Sequence, residues 1–552
     1  MSVRSFLAAR NRCALFLLIL ALAALAAPSP ACAAAQADYV IAISVDGLGA
    51  SYLAGLLYGN QLPNFQRLQA EGAWTLNARN DVDVTVTLPN HTTILTGRGV
   101  AGAAGHNWTS NSAPAANVTL AANKGSYVAS AYDVAHDNGL STALFTGKDK
   151  FILYPQSYGP ATGAADATGP DNGRAKIDTY VYEPDTAALV AGFTAAMTAA
   201  PARFSLLHLA DPDSVGHDSG WGTRAYNASL KAVDGYLGSV FSLIDSSPTL
   251  RGRTAVILTA DHGGAGTDHS AAGEPLDYTI PFFAWGPGIT ADAGLYALNP
   301  AARLDPGTGR PAYTAAGQPV RNGDTANLAL ALLNLGPVPG STINAAQNLR
   351  VDGAAPRSPK VIAFTAFNEA ATDLAGWAPG AADAELGFST ASTPQVGTSP
   401  LAATYDSSTS PLRLRMRSVA ATTTFNAVDL ADYAQVAAAI DIQIKNTTYE
   451  ADDFFRAVLT DGVDTITLAE AVGAALNALA KETWLHYEAA IPDGWATATL
   501  VVTSSTNSSS NAESVDFDNV YFTGLAPVPE PATLALLGLG ALATALRRRA
   551  GK

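Results

Sequence analysis

Four short runs, 39–47 (YVIAISVDG), 139–147 (GLSTALFTG), 204–211 (FSLLHLAD) and 253–261 (RTAVILTAD), are apolar and β-branched without interruption. A strand wetted on one face alternates apolar and polar residues. An unbroken apolar strand has both faces covered, as in a parallel sheet sandwiched between helices. The stretches between the runs fit that arrangement. Tyr226, Leu230, Val233, Leu237 and Val240 fall on one helical stripe, and DTANLALALLNLG from Asp324 ends in Gly336, where a helix C-terminus favours glycine. The sequence therefore predicts an α/β class over 38–350, mostly parallel with helices on both faces. Two Gly/Ala/Pro-rich stretches, 155–178 and 288–322, break the rhythm and read as surface insertions near a site or poorly ordered loops.

After APRSPK (355–360) the pattern changes to period two, in LRLRMRS (412–418), AIDIQIK (439–445) and SVDFDNVYF (514–522). Short alternating strands between turn residues predict a β-sandwich over 360–525, and FDNV (517–520) resembles the closing strand of jelly-roll modules. The ends read differently again. Arg4, Arg10 and Arg12 precede an apolar run and the small residues SPACAAAQA, the form of a secretory signal peptide over 1–35. Cys13 and Cys32 would leave with it, so the exported chain draws its stability from core burial and bound metal rather than disulfides. Over 527–552, Val528-Pro529-Glu530-Pro531 is followed by an apolar span and Arg547-Arg548-Arg549. This resembles the PEP-CTERM sorting signal of Gram-negative bacteria. The implied location is the periplasm, cell surface or medium, with a transient or permanent C-terminal membrane anchor. The formal net charge is −15, and seven of the basic residues lie in these two ends. Such an acidic chain is a poor partner for nucleic-acid polymers, and an anionic substrate must be held by local cations.

The chemistry is concentrated in ILTADHGGAGTDHS (257–270), where an apolar run ends in Asp261-His262, turns through glycines and offers His269, in a chain with only eight histidines. Ligands of open α/β sheets bind beyond the carboxyl ends of the strands, and Asp46, Asp213 and Asp261 all follow predicted strands. Asp213 and His217, at i and i+4, make a three-ligand metal site with His269. Asp46, Asp261 and His262 make another whose fourth ligand is missing. Mixed nitrogen and oxygen donors suit zinc, with manganese or iron as alternatives. The missing ligand is supplied by Thr87 in DVTVTLPNHTTILTG (83–97), where Pro89 suits the first position of a helix. Phosphate prefers such a helix start, and a hydroxyl coordinated to a metal there ionises near neutral pH and becomes a nucleophile. Asn90 and His91 read as capping or supporting groups, and His106, His136 and His208 as structural or surface residues.

In this order, Asp46, Thr87 in Thr-x-Pro-Asn-His, Asp213 with His217, Asp261-His262 and a later His, the chain resembles the alkaline phosphatase superfamily, most closely the type I phosphodiesterase/nucleotide pyrophosphatase group. The resemblance implies two divalent metal ions, one held by Asp213, His217 and His269, the other by Asp46, Thr87, Asp261 and His262. It implies that Asn107, in AGHNW, steadies a phosphate oxygen. The last His of the family lies further along the chain, whereas here none follows His269 until His486. Lys148-Asp149-Lys150 resembles the Lys-x-Lys or Lys-x-Arg that phosphonoacetate hydrolases and Thr-dependent bacterial alkaline phosphatases carry after a strand, so Lys148 and Lys150 read either as substrate contacts or as residues of a solvated loop. The expected function is an exported phosphohydrolase acting on a small phosphate ester through a phosphothreonine. A carbon–phosphorus bond hydrolase and a non-catalytic surface polysaccharide-binding protein are the alternatives. The other expected partners are the export and sorting machinery and an extracellular polysaccharide.

Overall fold

The computed structural model describes residues 37–353 except 59–60 and 166–172, and beyond them 360–365, 388–393, 403–406, 413–416, 420–431, 433–444, 449–479, 485–505 and 515–525. The expected signal peptide and sorting segment lie outside the described residues.

Eight strands form one sheet: β1 (Tyr39–Val45), β2 (Gly72–Arg79), β3 (Thr142–Thr146), β4 (Thr179–Tyr182), β5 (Phe204–Leu209), β6 (Thr254–Thr259), β7 (Thr279–Trp285) and β8 (Ala293–Gly294). Their order is β4-β3-β5-β1-β6-β7-β2-β8, and β7 alone runs against the rest. All four unbroken apolar runs became strands, and every residue of β1, β3, β5 and β6 is buried. The core that covers them spans Ala37 to Val351.

Among the helices of this unit are α1 (Thr87–Thr96), α2 (Asp211–Ser219), α3 (Arg224–Ser246) and α4 (Asp324–Leu332). The predicted stripe of α3 is buried throughout. Helix α4 ends at Leu332 rather than running on toward Gly336. Helix α1 begins two residues before the predicted proline start, so Thr87 is its first residue and Pro89 its third. Proline is tolerated there because first-turn N–H groups have no carbonyl partner within the helix.

The stretch 288–322 is not loose. Arg79 and Arg321, both buried, donate to the carbonyls of Gly309 (2.8 Å) and Pro311 (2.5 Å), and Arg321 also to that of Asn80 (3.1 Å). Tyr313 donates to Asp81 Oδ2 (2.7 Å), and Asp81 in turn accepts from the backbone of Asp83 and Val100, both at 2.8 Å. The insertion is thus fastened to the segment that leads into Thr87.

Beyond residue 360 the described strands pair antiparallel, with one short helix, Ala474–Ala478, among them. One sheet orders Phe388–Thr393, Ala420–Phe425, Thr497–Ser505, Phe454–Thr460 and Thr465–Val472. The other orders Ala403–Asp406, Arg413–Met416, Val515–Leu525, Ala434–Ile444 and Leu485–Ala490. Phe455 and Val502 of the first share one core with Ile440 and Phe517 of the second, which makes the pair a sandwich.

Candidate metal centre

Strands β3, β5, β1 and β6 are neighbours, and each carries a charged residue just beyond its carboxyl end. Lys148 follows β3, Asp213 lies in the first turn of α2 after β5, Asp46 follows β1, and Asp261 and His262 follow β6. The register Val45↔Leu209 and Ser44↔Thr259 brings these ends level. Close approach demands glycine at two points. Gly47 has φ +72°, and a Cβ there would sit 2.8 Å from Asp213 Cα; one on Gly264 would sit 2.3 Å from the Trp221 ring. Trp221 is fully buried, donates to Gly47 O (2.8 Å) and packs edge-on to the rings of His217 and His269. The glycines after Asp261-His262 therefore make room for the indole that backs the histidines.

The three histidines are oriented by backbone carbonyls. His217 Nδ1 donates to Thr267 O (3.0 Å), His262 Nδ1 to Gly263 O (2.8 Å) and His269 Nδ1 to Thr85 O (2.7 Å). A carbonyl only accepts, so each Nδ1 carries a proton and each ring turns its Nε2 inward, where it offers a lone pair when the ring is neutral. His269 Nε2 and His217 Nε2 face each other at 3.1 Å, each 3.5 Å from Asp213 Oδ1. His262 Nε2 is 3.1 Å from Asp261 Oδ2, 3.4 Å from Asp46 Oδ1 and 3.4 Å from Thr87 Oγ1. Asp46 Oδ1, Asp213 Oδ1 and Asp261 Oδ2 are buried and lack hydrogen-bond partners.

Three buried carboxylate oxygens without hydrogen-bond partners, converging with three imidazole Nε2 atoms, concentrate negative charge in a way that suits a bound cation. The donor set fits two. Asp213, His217 and His269 bring ligand atoms within 4.8 Å of one another, and so do Asp46, Asp261 and His262. A third buried group, Asp46 with His91 and His208, does not fit, because both ring nitrogens of each histidine are engaged. His208 accepts at Nδ1 from Gly147 N (3.3 Å) and donates from Nε2 to Asp46 Oδ2 (2.8 Å). His91 donates from Nδ1 to Thr87 O (2.9 Å) and pairs at Nε2 with Ser44 Oγ (2.8 Å).

Protonation is set by the same geometry. Burial works against a charge on His262, but Asp261, Asp213 and Asp46 outweigh it and push its pKa up to about 9. Burial, aided by His262, pushes His269 down to about 4, and burial holds His91 at about 4 and lowers His208. Asp46 is held well below the usual carboxylate range: burial alone would raise it, and Lys148 and His208 overcome that.

Thr87 heads α1, and His91 and Asn90 hold it there. Asn90 donates to Val84 O and Val86 O (both 3.1 Å) and accepts from Asp81 N (2.9 Å). The structure does not bring Asn107 to this hydroxyl. Asn107 is exposed with φ 61°, and its amide nitrogen, in the orientation its neighbours require, donates to Gly102 O (2.9 Å) and Val100 O (3.2 Å) in its own loop. Asn111 stands at the helix start instead, its Oδ1 accepting from Leu88 N (2.9 Å) and from Lys150 Nζ (3.2 Å). The lysine pair is split, for Lys148 Nζ lies on Asp213 Oδ2 (2.5 Å) and Asp46 Oδ2 (2.8 Å). Sequence reasoning missed Asn111 and the partnership of His208 with Asp46. A second Asn four residues after Asn107 was the one available signal for the former; none marked the latter.

Residues 40–303 match the family model of type I phosphodiesterase / nucleotide pyrophosphatase, and residues 527–549 that of the PEP-CTERM protein-sorting motif. Over 83 residues, 15% of this chain and 9% of the relative, the chain is 35% identical to GPI ethanolamine phosphate transferase 1 of Mus musculus, so it spans about a tenth of that curated protein. Among solved structures, murine ectonucleotide pyrophosphatase / phosphodiesterase 5 is 16% identical, with 57% of this chain and 100% of that chain covered and a TM-score of 0.39. An alkaline phosphatase superfamily protein from Vibrio parahaemolyticus is 14% identical, with 60% and 74% covered and a TM-score of 0.37.

Proposed function

We propose that this exported hydrolase, whose residues 40–303 match the type I phosphodiesterase / nucleotide pyrophosphatase model, cleaves small phosphate esters at a two-cation centre through a phosphothreonine on Thr87. The observation that carries the reading is the convergence of three partnerless carboxylate oxygens and three inward imidazole Nε2 atoms beside the Thr87 hydroxyl. One divalent cation, zinc, manganese or iron by the donor set, would be held by Asp213, His217 and His269, and the other by Asp46, Thr87, Asp261 and His262. Two divalent cations there supply charge that lowers the hydroxyl's pKa and offsets the negative charge of the phosphoryl oxygens.

The chain's own residues do the rest. Thr87 Oγ, fixed by the His91 bond to its carbonyl, attacks phosphorus in line and displaces the alcohol. The start of α1, with Asn111 and Lys150 beside it, faces the nonbridging oxygens, a role the sequence had given to Asn107. Water then cleaves the phosphothreonine and restores Thr87. Threonine argues against a sulfatase, whose nucleophile is made from Cys or Ser. The catalytic unit is 38–350, and the sandwich of 360–525 is an accessory unit for which an extracellular polysaccharide is the proposed ligand. The PEP-CTERM motif passes the chain to sorting machinery.

The test is a panel of monoesters, diesters, nucleotide pyrophosphates and phosphonoacetate on zinc-loaded and chelated protein. Turnover of an ester only when zinc is present supports the reading. Cleavage of phosphonoacetate alone would move it to carbon–phosphorus bond hydrolysis, and no turnover with a full metal complement would favour a binding protein.

A further inference from the structure

Lys148 divides two carboxylates that the proposed centre uses. Its ammonium hydrogen-bonds Asp213 Oδ2 and forms an ion pair with Asp46 Oδ2, while Asp46 Oδ1 and Asp213 Oδ1 are the partnerless atoms near His262 Nε2, at 3.4 and 3.8 Å. Asp46 belongs to one cation set and Asp213 to the other. We infer that Lys148 is a positioning residue rather than a substrate ligand: an ammonium strut that takes one oxygen from each carboxylate, turns the other inward, and fixes the spacing of the two cation sites. The inference rests on the two-cation reading and assigns within it a role that sequence resemblance had given to substrate.

Three features support the assignment. The Lys148 side chain is 15% exposed and both carboxylates 5% or less, so the contact is an interior one. Its two contacts leave the ammonium little capacity to serve a phosphate, whereas Lys150 next door reaches Asn111 at the start of α1. The supports are also unequal. Asp46 Oδ2, besides its ion pair with Lys148, accepts from His208 (2.8 Å), but among the described residues Lys148 is the one hydrogen-bond donor to the Asp213 carboxylate. Loss of Lys148 should therefore fall on the Asp213, His217 and His269 site first.

The experiment is metal titration with Co²⁺, read by calorimetry and by the visible absorption of the bound ion, followed by inorganic phosphate titration of the saturated protein. It is done on the full chain and on Lys148→Met, Lys148→Gln and Lys150→Met. We expect Lys148→Met to weaken one of two Co²⁺ sites tenfold or more and alter its spectrum, leaving phosphate affinity within about threefold. Lys150→Met should do the reverse. Lys148→Gln, a neutral donor of similar reach, should fall between wild type and Lys148→Met, and it carries the test if the Met variant does not fold. Unchanged or tighter Co²⁺ binding in the Lys148 variants, with weaker phosphate binding or none of these changes, overturns the inference alone. A wild type that takes up no metal contradicts the two-cation reading and this inference with it.

Discussion

At the scale of single residues the account stands on Thr87 and His269. Thr87→Ala removes the nucleophile and one of four donors to its cation but leaves Asp46, Asp261 and His262 and the carbonyl that holds His91, so most metal should remain while kcat/KM falls on the order of a thousandfold or more. A loss of only a few-fold, measured on a nitrophenyl ester, would mean that water attacks directly. His269→Ala removes one of three donors from its site and should lower zinc, measured by elemental analysis of dialysed protein, from about two equivalents toward one. Unchanged zinc would place the last ligand elsewhere. The residues that bring ligand atoms together were legible in the sequence because each stands beside a strand end or in a tight spacing. Asn111, His208 and the Lys148 strut were not. Their roles arise from contacts across 23, 162 and 65 residues that no local pattern records.

At the scale of elements, the unbroken apolar runs specified β1, β3, β5 and β6 because burial on both faces leaves a compositional mark. Short β4 and β8, and β2 with its bulge, left no such mark. The start of α1 was misplaced by two residues because proline is as acceptable in the third position as in the first. Of the two readings for 288–322, the surface insertion near a site fits and the loose loop does not, because Arg79 from β2 and Arg321 within the stretch hold its carbonyls. The turn after β6 offers a test. Gly264→Ala sets a methyl 2.3 Å from Trp221, a rigid ring backing His217 and His269. It should cost about 1–3 kcal/mol of stability and weaken the Asp213, His217 and His269 site, seen as a lower Tm in chelator and a shallower metal titration. A variant with wild-type Tm and metal affinity would show that the indole moves freely.

At the scale of the whole molecule the buried histidines set a pH dependence. His91, His106 and His269 have pKa values lowered by burial to about 4, 3 and 4, so the folded chain binds fewer protons there than the unfolded one. Their contribution to stability is present above about pH 6.5 and is lost as pH falls toward those values. His262, raised to about 9, works in the opposite sense: its contribution, on the order of 3 kcal/mol, is present below about pH 6.5 and lost as pH rises through 9. Chelated protein should therefore be most stable near pH 6.5. The Tm gained on adding zinc should grow from pH 6.5 to 9, because the cation replaces the His262 proton; a gain that shrinks over that range would contradict the site. The change from unbroken to alternating apolar runs near residue 360 made the two cores readable, while the ligand of the sandwich left no trace in the pattern. The claim that joins all three scales is that Thr87, not water, makes the first attack on phosphorus. It is tested most directly by the stereochemical course at a chiral phosphorus centre in an ester turned over by the zinc-loaded protein. Two successive in-line displacements predict retention of configuration, and inversion would contradict the account.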